Sequence, residues 1–277
     1  MTLHYRLTDV SPYINWLYFD HAWGMSGKPE NERLSLRREA DERLSRYAGS
    51  YSTHAVFQLF NAYSDGDDIV LSHRDVLPVA NVSASSRIPC LRQQQTGSEY
   101  LCLADFVAPA KGEGETTVVG VFATTVDAGM ETDFDADPYE KMMMQLLADR
   151  LAEATAERMH EEVRKHYWGY AADERLTMAD MLCERWQGIR PAVGYPSLPD
   201  TSLNFLLDQL IDMRQIGIGL TESGAMRPHA SVSGLMFSHP QAHYFAVGKI
   251  GYDQLTDYAR RRGMDVEVMR KFLSANL

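Results

Sequence analysis

The chain has 277 residues, 45% of them hydrophobic and 23% charged, enough apolar content for one large globular unit. Its 27 basic and 38 acidic side chains leave a formal charge of −11 at pH 7, and the longest basic run is Arg260-Arg261-Arg262. That balance argues against nucleic acid and anionic membrane as partners, because both select basic surfaces.

The first residues, MTLHYRLTDV, lack the basic start and apolar core of a signal peptide, and no run approaches the roughly 20 apolar residues that cross a bilayer. A cytoplasmic location is expected. Ser11 predicts a helix cap with Pro12 at the first helical position, ahead of the aromatics Tyr13, Trp16, Tyr18, Phe19 and Trp23. Residues 30–50, rich in Glu, Arg, Leu and Ala, predict a helix ending near Gly49. VFQLFNAY (56–63), the turn Ser64-Asp65-Gly66-Asp67 and Ile69-Val70-Leu71 predict a β-hairpin. Strands are predicted over Tyr100–Phe106 and Val118–Thr125, with a polar, glycine-containing loop at 111–115 between them.

The longest helical signal covers 137–168. Met144, Ala148, Leu151, Thr155, Met159 and Val163 recur at three or four residues, and Asp137 is placed to cap before Pro138. Further helices are predicted over about 176–186 and over 202–214, the first of them stopping at Gly188. Strands follow at 217–220, 230–237 and 243–248, then a closing helix pair over 252–275 broken at Gly263. Strands, one long helix and strands again predict an α+β fold with an antiparallel sheet, not a parallel βαβ array. No repeat or linker divides it, so 1–277 reads as a single domain.

Standard catalytic strings are absent: there is no P-loop, dinucleotide glycine fingerprint or nucleophile elbow. Gly217, Gly219 and Gly224 read as strand and turn glycines. His239 and His243 are four apart, but Pro240 opposes the helix that would bring them to one face, and no metal site is expected. Cys90, Cys102 and Cys183 are odd in number and widely spaced, which speaks against disulfides and structural zinc. The arginine triplet reads as a solvated helix end. His160 and His166, among charges on the long helix, read as solvated. Asp149 and Glu153 lie off the apolar stripe and, taken alone, read as surface carboxylates.

The segment GIRPAVGYPSLPD (188–200) is different. Pro191, Pro196 and Pro199 fix their own φ and hold the residues before them extended, Arg190 among these. Gly194 allows close backbone approach, and Tyr195 presents a ring with a hydroxyl. A guanidinium, exposed amides and an aromatic on a stiff loop suit a small zwitterionic ligand. A rigid connection packed between helices fits the same residues.

GIRPAVGYP resembles the GIRPAPGYP signature of the activation domain of cobalamin-dependent methionine synthase. The resemblance runs colinearly through SPYINWLYF, VSASSRIPCLRQQ, YLCLADFVAP, DRLAEATAERMHEEVRKHYWGYA, LTESGAMRPHASVSGLMFSHPQAHYFAVGKI and DQLTDYARRRGM. It implies a single unit on a twisted antiparallel sheet flanked by helices. It implies binding of S-adenosylmethionine and reductive methylation of cobalamin supplied by a partner domain or protein, with an electron from flavodoxin or a similar donor. This domain would bind no metal itself. By the same resemblance Arg190 holds the ligand carboxylate. Glu153, Glu184 and Asn15 stand at positions near its ammonium and ribose. Pro191, Ala192, Gly194 and Tyr195 belong to the loop that lines the adenosine. Tyr244 and Phe245 are aromatics beside the ligand, and Tyr195 stands by the cobalt face as the catalytic position.

Three positions depart from the family. Asn15 replaces an aspartate that helps hold the ammonium, Val193 replaces a proline, and Arg227 replaces a tryptophan. The altered positions also motivate a second reading, a ligand-binding or scaffold relative without methyl transfer. The homocysteine-, folate- and cobalamin-binding modules of the full enzyme have no counterpart in this sequence. The initial Met and the missing leading linker favour a free-standing protein over an excised domain.

Overall fold

β1 (Thr2–Arg6) is followed by the single turn α1 (Leu7–Val10), by α2 (Trp16–Ala22) and by α3 (Glu30–Arg46). Then come β2 (Ser52–Asp65), β3 (Asp68–His73), β4 (Ser86–Pro89) and β5 (Thr117–Val126). Next are α4 (Gly129–Thr132), α5 (Pro138–Glu162), α6 (Met178–Leu182) and α7 (Leu203–Ile211). The short strands β6 (Gly219–Leu220) and β7 (Met226–Arg227) precede β8 (Ser231–Phe237), and α8 (Tyr252–Arg262) and α9 (Val266–Phe272) close the chain. The computed structural model describes residues 1–73, 86–95, 99–110 and 117–277.

The main sheet is antiparallel in the order β4-β3-β2-β5-β8. One edge of the long β2 serves two partners, β1 against 52–56 and β3 against 60–65, while β5 pairs along its other edge. Side-chain alternation along the strands builds two cores. Phe57, Phe122 and Met236 face α5 and meet Met144, Leu147 and Leu151. Val56, Phe60, Val121 and Leu235 face the other way and meet Leu203, Leu207 and Leu210 of α7. A third cluster joins Leu255 and Tyr258 of α8 and Met269 of α9 to Leu91 and Val247.

α5 is the central helix. Its stripe is buried as the periodicity predicts, and Ala152, Ala154 and Ala156 are buried as well. Their small side chains let neighbouring elements approach on several sides, and Thr124 Oγ1 on β5 donates to Ala152 O at 3.0 Å. Asp137 caps the helix as expected, accepting from the N–H groups of Tyr139 and Glu140 at 2.9 and 3.3 Å.

Several elements differ from the expectation. Ser11-Pro12-Tyr13 form only a 3₁₀ turn, and the helix after it is capped by Asn15. Tyr100–Phe106 is no strand: the Asp105 carboxylate accepts from Cys102 N–H at 2.8 Å and closes a 3₁₀ turn over Leu103–Phe106. The helix expected at 176–186 is only α6, because Glu184 turns left-handed at φ 54°. Residues 243–248 carry no strand ladder; Val247 N–H donates instead to Pro196 O at 2.9 Å. The loop at 111–115 lies outside the described residues. In the arginine triplet only Arg260 is solvated. Arg261 turns in to Asp68 and Asp257, and Arg262 to Asp200.

Candidate functional site

The stiff segment 188–193 adds itself to the free edge of β8. Ile189 and Phe237 exchange backbone bonds of 3.0 and 2.9 Å, Leu235 N–H donates to Pro191 O at 3.0 Å, and Val193 N–H to Ser233 O at 2.8 Å. Proline is tolerated here because Pro191 only has to accept. Close approach is required: a Cβ on Gly188 would lie 1.9 Å from Phe237 O, and one on Gly234 would lie 2.2 Å from Pro191 O. The segment then turns at Ala192–Tyr195 with Gly194 at φ 87°.

This edge forms one wall of a cleft of about 820 Å³, and α2 and α5 contribute to the rest. Nine of the ten residues singled out in the sequence line it: Asn15, Glu153, Glu184, Arg190, Pro191, Ala192, Tyr195, Tyr244 and Phe245. Gly194 does not. Its nearest would-be Cβ neighbour is Thr201 Cγ2 at an ordinary 3.5 Å, so the glycine is needed for its left-handed φ and not for close approach to the cleft.

Arg190 has a specific geometry. Its guanidinium is nearly buried, with 7% side-chain exposure. Nη2 donates to Glu157 Oε1 at 2.6 Å, and Nη1 lies 3.3 Å from Glu157 Oε2 and 3.1 Å from Ala156 O. The end-on edge of the fork is therefore occupied. The side edge, Nε with the second hydrogen of Nη2, has no acceptor among the described residues. Burial opposes the guanidinium's charge, but Glu157, Tyr244 and Glu153 outweigh it and hold the pKa above the ordinary arginine value. The Arg190 backbone is fixed too, its N–H donating to Tyr244 Oη at 3.0 Å. Burial pushes the Tyr244 hydroxyl up to about 12, so it stays protonated.

Glu153, Glu157 and Arg150 share one side of α5. Tyr195, 52% exposed, donates to Glu153 Oε1 at 2.7 Å. Glu184 has no ion-pair partner among the described residues, and burial raises its pKa against the pull of Arg190. Glu184 lies in the left-handed region at φ 54°, uncommon for a non-glycine residue, and lines the cleft. Asn15 Oδ1 accepts from Leu17 N–H at 3.1 Å as the cap of α2. One lone pair of its oxygen is used there, and the neutral amide brings N–H donors to a residue that lines the cleft.

Asp149, read with Glu153 as one face, does not line the cleft; it lies 3.6 Å from His229 Nδ1. His239 and His243 pack on Phe106 at ring separations of 6.0 Å each, and no group of three or more metal-binding side chains occurs among the described residues. His166 is exposed as expected, but His160 is fully buried. Its charged neighbours do not solvate it: Arg164, in the π-helical turn after α5, turns inward with it and is paired with Glu174. The sequence reading missed Glu157, Arg150, Tyr13 and Tyr18 at the cleft. The spacing of 150, 153 and 157 on one helix was the available signal.

Residues 6–263 match the family described as Vitamin B12 dependent methionine synthase, activation domain. The chain is also similar to a crystal structure of the MetH reactivation domain bound to AdoHcy, with a TM-score of 0.91 and 38% identity over 100% of this chain and 90% of that one. The α+β fold on an antiparallel sheet, read from the sequence, agrees with that structure. Among the described residues no helix is long and apolar enough to cross a membrane.

Proposed function

We infer a function from one premise: this chain belongs to the activation-domain family of vitamin B12 dependent methionine synthase. We propose that its cleft binds S-adenosylmethionine and that the chain supports reductive methylation of a corrinoid held by a cobalamin-binding domain or protein of methionine synthase. The observation that carries the ligand reading is the side edge of Arg190, without an acceptor among the described residues, in a cleft of about 820 Å³. A volume of that size suits a small molecule. A carboxylate on this edge receives two charge-assisted bonds while Glu157 keeps the other edge. Glu184 and the second oxygen of Glu153 offer acceptors to an ammonium. Among the described residues the cleft holds three carboxylates, Glu153, Glu157 and Glu184, against two guanidiniums, Arg150 and Arg190. The excess negative charge favours a sulfonium. The AdoHcy in the similar MetH structure is what remains after such a ligand gives up its methyl.

The corrinoid is the partner's contribution: with one electron from a flavodoxin-like or other donor, it takes the sulfonium methyl and S-adenosylhomocysteine is left. This chain orients and shields. Arg190 fixes one end of the ligand, Pro191 and Ala192 line its adenosine with Tyr244 and Phe245 alongside, and Tyr195 stands at the open side with its hydroxyl fixed by Glu153.

Isothermal titration tests the binding. Wild type is expected to bind S-adenosylmethionine and S-adenosylhomocysteine, and Arg190→Ala to lose about tenfold or more in affinity for each. No heat at millimolar ligand overturns the reading. Methyl transfer is tested by mixing the chain with a cobalamin-binding partner, a reductant and methyl-labelled S-adenosylmethionine, and looking for label in methylcobalamin. Asn15, which offers the cleft an amide where the family has a carboxylate, favours the second reading of binding without transfer. Binding with no labelled product decides for it.

A further inference from the structure

Behind the cleft wall, His160 in the last turn of α5 and Arg164 in the π-helical turn Val163–Tyr167 that continues it lie one and two turns beyond Glu157, both at 0% exposure. His160 Nδ1 lies 2.9 Å from Arg164 Nη1 and 3.3 Å from Arg190 Nη1. Guanidinium nitrogens only donate, so Nδ1 is the acceptor and the ring hydrogen sits on Nε2. Nε2 itself is buried and has no partner among the described residues. The two arginines therefore select the tautomer. Arg164 is anchored from behind by Glu174, with bonds of 3.0 Å to Oε2 and 2.6 Å to Oε1. Trp186 covers the group: its ring lies 4.9 Å from the Arg164 guanidinium carbon, 5.6 Å from that of Arg190, and meets His160 edge-on at 5.5 Å. A continuous row thus runs Glu174, Arg164, His160, Arg190, Glu157.

We propose that His160 is a positioning residue for Arg190, accepting from Nη1 so that the guanidinium keeps its end-on edge on Glu157 and its side edge toward a ligand carboxylate. The imidazole suits this place because it accepts from two cations without adding a charge. Glu174 and Arg164 hold the imidazole in turn, so the orientation of the ligand-binding fork is set by residues outside the cleft. The inference rests on the S-adenosylmethionine reading.

Its test uses the full chain, three variants and two ligands. S-adenosylmethionine carries the carboxylate and 5′-methylthioadenosine lacks it. His160→Leu removes the acceptor. His160→Asn places an amide oxygen where Nδ1 stands, and His160→Gln carries its amide out to the Nε2 position instead. Affinities are measured by titration well below each variant's unfolding temperature, with folding checked by circular dichroism. The expected result is that Leu and Gln weaken S-adenosylmethionine binding about tenfold and leave methylthioadenosine within about twofold, while Asn restores most of the loss. Equal losses for both ligands, wild-type affinity in the Leu and Gln variants, or no rescue by Asn overturns the positioning role. If Leu does not fold, the contrast between Asn and Gln decides alone. Wild type binding methylthioadenosine but not S-adenosylmethionine overturns the carboxylate role of Arg190 and this inference with it. Binding of neither ligand overturns the S-adenosylmethionine reading itself.

Discussion

Burial and the flanking guanidiniums of Arg190 and Arg164 oppose a positive charge on His160 and hold its pKa well below the ordinary histidine value. Glu157 and Glu174 face the same group but are engaged by the two arginines, and Trp186 closes the remaining side. In the unfolded chain the imidazole takes a proton near its ordinary pKa of about 6.5. The unfolded state therefore binds the extra proton below that pH, and the stability this residue supports is complete above it and lost as pH falls. Relative to His160→Asn, wild type is expected to lose stability between about pH 6.5 and 5 with a slope approaching 1.4 kcal/mol per pH unit, read from urea unfolding at several pH values. Parallel curves for the two proteins would refute a buried neutral imidazole. His160 was not legible in the sequence, because the side chains that dry it come from three separate segments: Trp186 and Arg190 beyond α6, Glu174 before it, and Arg164 turned inward from the π-helical turn after α5. Arg190 and Tyr195 were legible because a stiff proline segment marks them directly, whereas Glu153 read as a surface carboxylate by itself and was marked only by the family resemblance of its helix.

Among the elements, the hairpin of β2 and β3, the long strand β5 and the central helix α5 follow from period and turn chemistry alone, with Gly66 at φ 61° supplying the turn. The misread elements are those whose backbone partners lie elsewhere. Residues 243–248 have strand composition, yet they are tied to the proline segment: Val247 N–H donates to Pro196 O at 2.9 Å, and Ser197 Oγ accepts from Phe245 N–H at 3.2 Å. The segment 188–193 is stiff as read, but its role as an added sheet edge depends on Gly234 in β8. Gly234→Ala puts a methyl 2.2 Å from Pro191 O and 2.9 Å from the Ala192 Cα, so the edge must move away. A loss of about 1–3 kcal/mol in urea unfolding is expected, accompanied by weakened S-adenosylmethionine binding. Gly49→Ala, where a Cβ meets nothing within 4 Å, is the control and is expected to stay within about 0.5 kcal/mol of wild type. Equal stability and affinity in the Gly234→Ala variant would mean that the segment binds ligand without being held on the sheet.

At the scale of the whole molecule, the closing helices are tied to the end of the proline segment by a buried polar contact, beside the apolar cluster that includes Val247. Asp200, 1% exposed, accepts from Ser202 N–H and Tyr258 Oη at 2.9 Å each and pairs with Arg262 at 3.3 Å. Arg262 also donates to Ser202 O at 3.1 Å, and only 9% of its side chain is exposed. The sequence showed a helix pair with an arginine-rich end, but not that Arg262 is the strut between the pair and residue 200, some 60 positions away. A charge left alone in such a place is costly, whereas removing both partners is not. Asp200→Asn is therefore expected to lower stability by about 3–5 kcal/mol, since Arg262 keeps its charge and loses its counter-ion. Arg262→Met strands the Asp200 carboxylate in turn, 1% exposed and without its counter-ion, and is expected to cost about as much. The double variant is expected to be no less stable than Asp200→Asn alone, a strongly non-additive cycle for residues in contact. If the two losses simply add, the pair does not act as a strut, and the C-terminal helices are held by the apolar contacts of Leu255, Tyr258 and Met269 instead. S-adenosylmethionine titration of the same variants extends the cycle to function. If Asp200 fixes the end of the segment that carries Arg190, affinity falls with Asp200→Asn even at temperatures where the variant is fully folded.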